Sequence, residues 1–217
     1  MKKALFFVTA VLFSLAVLAQ NGPGGVGNSD GSNSQPENIV WLDASTLSFN
    51  DTDPVDTWLD VSGNNNHALQ ATGSLHPEFS TGQINGLPTV YYDGSEYLSV
   101  PDADNLDNTT GVTVIVIAKP AATDGQPRGF VSKRNDSGVQ EAYYLFTYTS
   151  SFLYFNAGTQ RINGNVAATT DAQIFSATFD GSISNPRSKV YNDGDESGSG
   201  NGPTSIGDMS SDLHIGI

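Results

Sequence analysis

From Ile39 onward the chain carries short runs in which apolar residues recur at every second position, and clusters of Asn, Asp and Gly interrupt them. That period belongs to strands rather than helices, and turn signals at roughly 8–12-residue spacing point to an all-β sandwich or barrel. The pattern predicts strands over 39–43, 89–93, 96–100, 111–118, 129–134, 142–149, 152–156, 173–180, 188–192 and 212–216. Only Val55–Leu59 suggests a helical turn. Asn85-Gly86, Asn163-Gly164 and Asp193-Gly194 are dipeptides of the hairpin type. GVTVIVIA (111–118) is apolar on both alternating faces, which predicts a central strand covered on both sides. YYLFTYT (143–149) places Tyr144, Phe146 and Tyr148 on one face and Tyr143 and Leu145 on the other. In 172–181, Phe175, Ala177 and Phe179 share one face, as in a half-covered strand.

The N-terminus departs from this pattern. Lys2 and Lys3 precede an apolar run from Ala4 to Ala19 that ends in Val17-Leu18-Ala19, the layout of a secretory signal peptide cut before Gln20. The run is short for a bilayer span, which takes ~20 apolar residues. Residues 20–37 are rich in Gly, Ser and Asn and read as a flexible linker. Gly22, Gly24 and Gly27 match a dinucleotide-binding spacing by letter, but no strand precedes them and no helix follows. Residues 38–217 form the remaining unit, long enough for one domain with a sizeable core. Without Lys2 and Lys3, seven basic residues stand against 23 acidic ones, a formal charge of −16. Such a chain repels nucleic acid and anionic lipid, and suits neutral polysaccharides, divalent cations or plain solubility. It has no cysteine, which excludes disulfides, thiol catalysis and zinc–thiolate sites.

The order of motifs resembles a laminin-G-like (concanavalin A-like) jelly-roll module. The resemblance is carried by Trp41-Leu42-Asp43-Ala44-Ser45, by Trp58-Leu59-Asp60-Val61-Ser62-Gly63-Asn64-Asn65-Asn66-His67-Ala68, by Asn85-Gly86-Leu87-Pro88 and by Tyr92-Asp93-Gly94. FSATFDG (175–181) followed by KVYNDG (189–194) adds a strand–turn–strand of the same type. The linker resembles those ahead of such modules in secreted proteins of Bacteroidota-type bacteria. The resemblance implies a two-sheet antiparallel jelly-roll sandwich, secreted or at the cell surface, within a larger multidomain protein. Relatives usually continue past the Leu-His-Ile-Gly strand into one or two more strands, so it also implies a module incomplete at its C-terminus.

The candidate chemistry is that of binding. Calcium takes several oxygen ligands from carboxylates, amides and carbonyls. Asp60, Asn64 and Asn66 pack such oxygens into one turn, and Asp93 is the further ligand a sandwich could bring near. The same residue types also form turns through side-chain-to-backbone hydrogen bonds. Asp102, Asp104 and Asp107, and likewise Asp193, Asp195 and Glu196, read as solvated loops. Carbohydrate recognition uses aromatic faces flanked by polar groups; Tyr97, Tyr143, Tyr148 and Tyr154 are the candidate rings, with filling of the sandwich as their other role. Trp41 and Trp58 read as core, and His67, His76 and His214 as turn or surface residues. Hydrolysis of a glycosidic bond needs two carboxylates flanking it, and no E-x-D-x-x-E strand occurs. The expected function is therefore a non-catalytic module that binds polysaccharide or a cell-surface glycan or protein. The alternatives are a glycoside-hydrolase-like relative and a structural spacer.

Overall fold

The computed structural model describes residues 37–135 and 142–216. The expected signal peptide and residues 20–36 of the linker lie outside them. The fold is an all-β antiparallel sandwich. Its elements are β1 (Thr57–Trp58), β2 (Ala68–Leu69), β3 (Glu78–Ile84), β4 (Leu87–Tyr91), β5 (Leu98–Val100), β6 (Gly111–Ala118) and β7 (Arg128–Lys133). They continue with β8 (Tyr143–Tyr148), β9 (Phe152–Ala157), β10 (Gln160–Ala167), β11 (Gln173–Asp180), β12 (Ser188–Asn192), β13 (Asp195–Gly200) and β14 (Leu213–Ile215). Eight strands form one sheet in the order β1-β2-β5-β14-β7-β8-β9-β10, and four form another in the order β13-β12-β11-β6. β3 and β4 make a separate hairpin. The chain crosses between the two larger sheets after β5, β6, β10 and β13.

Strand alternation decides what lies between the sheets. Leu145, Leu153 and Phe155 project inward from the eight-stranded sheet, and Phe175, Ala177, Phe179 and Val190 meet them from the four-stranded one. Phe130 of β7 stacks on Phe175 of β11 with ring centroids 4.9 Å apart, joining the two layers. At one edge β10 and β13 come together closely. A Cβ on Gly198 would overlap the Asn163 carbonyl, and one on Gly164 would stand 2.6 Å from the Ser197 hydroxyl. Glycine is required there by space rather than by dihedral freedom.

Several expectations change. Residues 39–43 form no strand; Leu42 makes a single bridge to Asp60, and the Trp41 amide donates to the Asp60 carboxylate instead of a neighbouring strand. Val55–Leu59 is extended, not helical, and contains β1. Asn85-Gly86 and Asp193-Gly194 turn hairpins with positive φ at both residues, as a type I′ turn requires. Asn163-Gly164 does not turn: it lies inside β10, where the register shifts after Asn163. β6 is not central. It is the edge of the four-stranded sheet, and its outward Ile115 and Ile117 are 63% and 65% exposed. Its doubly apolar pattern reflects one buried face and one uncovered face. β3, β10 and β13 carry no alternating apolar signal, being rich in polar residues and glycine.

Candidate functional site

The turn after β1 is built around Asp60. Its Oδ1 accepts from the Trp41 amide at 2.8 Å and the Ser62 amide at 2.9 Å. Its Oδ2 accepts from the Ser62 hydroxyl at 2.7 Å and the Asn66 amide at 3.0 Å. A carboxylate offers about four lone-pair sites, and these four bonds fill them. The Asn64 amide donates to the Asn38 and Ile39 carbonyls, and the Asn66 amide to the Ile39 carbonyl and to Asn105 Oδ1. His67 joins the turn, its Nδ1 accepting from the Asp60 amide at 3.0 Å. The turn thus staples the segment before β1 to the rest of the sandwich. Asp93 lies in the exposed β4–β5 connection, where the Ser95 amide and hydroxyl hold its carboxyl below the usual carboxylate range. Among the described residues no three His, Asp or Glu side chains gather into a metal-sized group.

The aspartates of the 102–107 loop are not simply solvated. Lys133 points inward from β7 and is fully buried; its ammonium contacts Asp102 at 2.6 Å, Asp107 at 3.2 Å and the Met209 and Ser211 carbonyls at 2.9 Å each. This buried cation ties the loop to the chain that leads into β14.

A different constellation occupies the outer face of the eight-stranded sheet. Residues alternate with the inward Leu145, Leu153, Phe155 and Ile162, so Tyr144, Phe146, Tyr148, Tyr154, Asn156 and Arg161 face out. The rings form a continuous file. Tyr144 stacks on Phe146 at 4.2 Å between centroids, Phe146 on Tyr154 at 5.4 Å, and Tyr148 lies 5.9 Å from Tyr154. Tyr144 and Phe146 are covered, whereas Tyr154 is half-buried and Tyr148 exposed. Arg134 lies over the Tyr144 ring at 4.3 Å, and Arg161 over Phe146 at 5.3 Å. Arg161 Nε donates to Asn156 Oδ1 at 2.9 Å. The buried Nδ2 of Asn156 and the hydroxyl of Ser132, its neighbour two strands away, have no partner. Arg134, Ala142, Tyr143, Tyr144 and Asn156 line a small recess at this place.

Of the rings singled out in the sequence, Tyr148 and Tyr154 belong to this file. Tyr97 shares the outer face further along, edge-on to His214 with ring centroids 5.4 Å apart. Tyr143 leaves the set: it faces the core, is 6% exposed and donates its hydroxyl to the Leu106 carbonyl at 3.3 Å. Burial beside Asp107 pushes that phenol well above its ordinary pKa. Trp58 packs against the core as expected, while Trp41 is half-buried in the segment that Asp60 holds. No pattern in the sequence singles out Arg134, Arg161, Asn156 or Ser132. The even spacing of Tyr144, Phe146 and Tyr148 was visible, but which polar residues join them depends on strand register.

The eight strands of this sheet contain no Asp or Glu, although the chain has 23. No helix among the described residues is long and apolar enough to cross a membrane. No protein-family model matches the chain, and no curated protein sequence matches it either.

Proposed function

We propose that this chain is a secreted, non-catalytic carbohydrate-binding module of laminin-G-like type, and that its ligand lies across the outer face of the eight-stranded sheet. The file of four aromatic rings on that face carries the reading. The solvent side of an antiparallel sheet is ordinarily polar. Ligand sites combine aromatic surface with a few placed polar groups, and a sugar ring, apolar on its faces and polar at its edges, matches Tyr148 and Tyr154 flanked by Asn156 and Arg161. Hydrolysis would need two carboxylates across the site, and the strands that build this face supply none, which favours binding over cleavage. The module would attach a surface protein to polysaccharide or to a glycan on another cell. A calcium ion at the turn around Asp60 stays a separate proposal, and it would have to replace hydrogen bonds that already occupy both carboxylate oxygens.

The test is a glycan array followed by titration calorimetry with the full chain. Tyr154→Ala and Tyr148→Ala should each weaken binding by about tenfold, near 1.4 kcal/mol. Circular dichroism should show the sheet content unchanged. Failure of the wild-type chain to bind any glycan would sink the reading.

A further inference from the structure

We infer that the saccharide held on this face is anionic, carrying a carboxylate or sulfate group that docks against Arg134, Arg161 and the Asn156 amide. The inference rests on the binding reading above and adds the charge of the ligand.

Three observations converge. The first is charge sorting. The chain as a whole is strongly acidic, yet no strand of the eight-stranded sheet bears an acidic residue. Arg161 stands on that sheet, and Arg134 follows β7 directly. The second is the state of these arginines. Like Lys119 and Arg187, and unlike Arg128, Lys133 and Lys189, Arg134 and Arg161 belong to no ion pair among the described residues, and they alone of these four lie on the aromatic file. Both guanidinium groups lie over rings that stack on each other, so they sit on the same aromatic file. A planar guanidinium presents paired donors that match a carboxylate or sulfate.

The third observation is the unpaired amide. Arginine Nε can only donate, so its 2.9 Å bond requires Asn156 to present oxygen to Arg161. The amide nitrogen therefore points away from Arg161. Asn156 is 1% exposed, and that nitrogen has no acceptor. A buried donor left unsatisfied costs about 1–3 kcal/mol. The Ser132 hydroxyl, also buried on this face, is unpartnered as well. Two guanidinium groups and an amide N–H offer only donors, and an acceptor-rich anion complements that set better than a neutral hydroxyl. The acidic remainder of the surface does not forbid this. Charges more than about 8 Å away are largely screened at physiological salt. Acidic residues beyond that distance therefore do not decide what this face receives.

Titration calorimetry with the full chain would compare oligogalacturonate, a sulfated galactan oligosaccharide and a neutral galactan oligosaccharide of equal length. The anionic ligands should bind about tenfold or more tighter than the neutral one, and raising salt to about 0.5 M should remove most of that advantage. Preference between the first two identifies the group as carboxylate or sulfate. Arg134→Gln and Arg161→Gln should each reduce binding of the anionic ligand toward the neutral level, while Arg161→Lys keeps part of it. Thermal unfolding of each variant checks that the fold survives. Equal binding of neutral and anionic ligands, unchanged by the glutamine variants, would overturn the charge assignment and leave the binding function standing. No binding of any saccharide would overturn both.

Discussion

Asp60 shows how one side chain can take over the work of a strand. Its carboxylate receives three backbone amides and one hydroxyl. The segment from Asn38 to Leu42 is held by the Trp41 amide among these, by the Asn64 and Asn66 side chains on the Asn38 and Ile39 carbonyls, and by a single bridge from Leu42 to Asp60 rather than by a continuous ladder. Asp60→Ala should therefore lower unfolding stability by about 3 kcal/mol, because buried donors lose a charged acceptor. Denaturant unfolding in EDTA and in calcium separates the two roles of this residue. Hydrogen bonding alone predicts the same loss in both, whereas a calcium ligand would show the larger loss with calcium present. Lys133 makes a related case. Its ammonium is enclosed by two carboxylates and two carbonyls, so Lys133→Met strands those oxygens around an apolar chain. A loss of about 3–5 kcal/mol in urea unfolding is the expected outcome. A variant as stable as the parent would show that the cation is dispensable.

At the scale of elements, β6 separates composition from position. GVTVIVIA reads as fully buried, but its place at the sheet edge leaves alternate residues in solvent. Ile115→Lys should change stability by less than about 0.5 kcal/mol, since that side chain is already 63% exposed. Val114→Lys, one residue away and facing the core, should abolish cooperative unfolding, because it buries an unpaired charge. Similar effects of the two would contradict the face assignment. The same strand shows what was legible in the sequence. β6, β11 and β12 coincide with the expected strands 111–118, 173–180 and 188–192, since alternating apolar and β-branched residues mark them. β3 (EFSTGQI), β10 (QRINGNVA) and β13 (DESGSG) have no such mark, because their stability comes from neighbours. β10 follows β9 through its main-chain register, and β13 nests against β10 only because Gly198 leaves room for the Asn163 carbonyl. Such strands carry no local apolar signal to read.

Across the whole molecule the eight-stranded sheet has two aromatic layers, and the sequence exposed only half of that arrangement. The alternation in 143–149 put rings on both faces, but Tyr143 and Tyr148 were grouped as equivalent although one is core and the other exposed. Arg134, Asn156 and Arg161, distant in sequence, become neighbours only when β7 to β10 pair in this register. The inner layer holds the sheets together, whereas in the outer layer Tyr148 is exposed and Tyr154 half-buried over the covered Tyr144 and Phe146; Tyr148 should be energetically separable from the core. Phe175→Ala removes a fully buried ring that stacks on Phe130 and should cost about 3–5 kcal/mol. In a double-mutant cycle, Phe175→Ala and Phe130→Ala should couple by about 0.5–1.5 kcal/mol, the worth of a stacked pair beyond its buried area. Phe175→Ala and Tyr148→Ala, on opposite sides of the sheet and without shared partners, should add within about 0.5 kcal/mol. Coupling in the second cycle as large as in the first would mean that the outer rings help to hold the sandwich together. Additivity would leave Tyr148 a surface residue whose removal affects the ligand and not the fold.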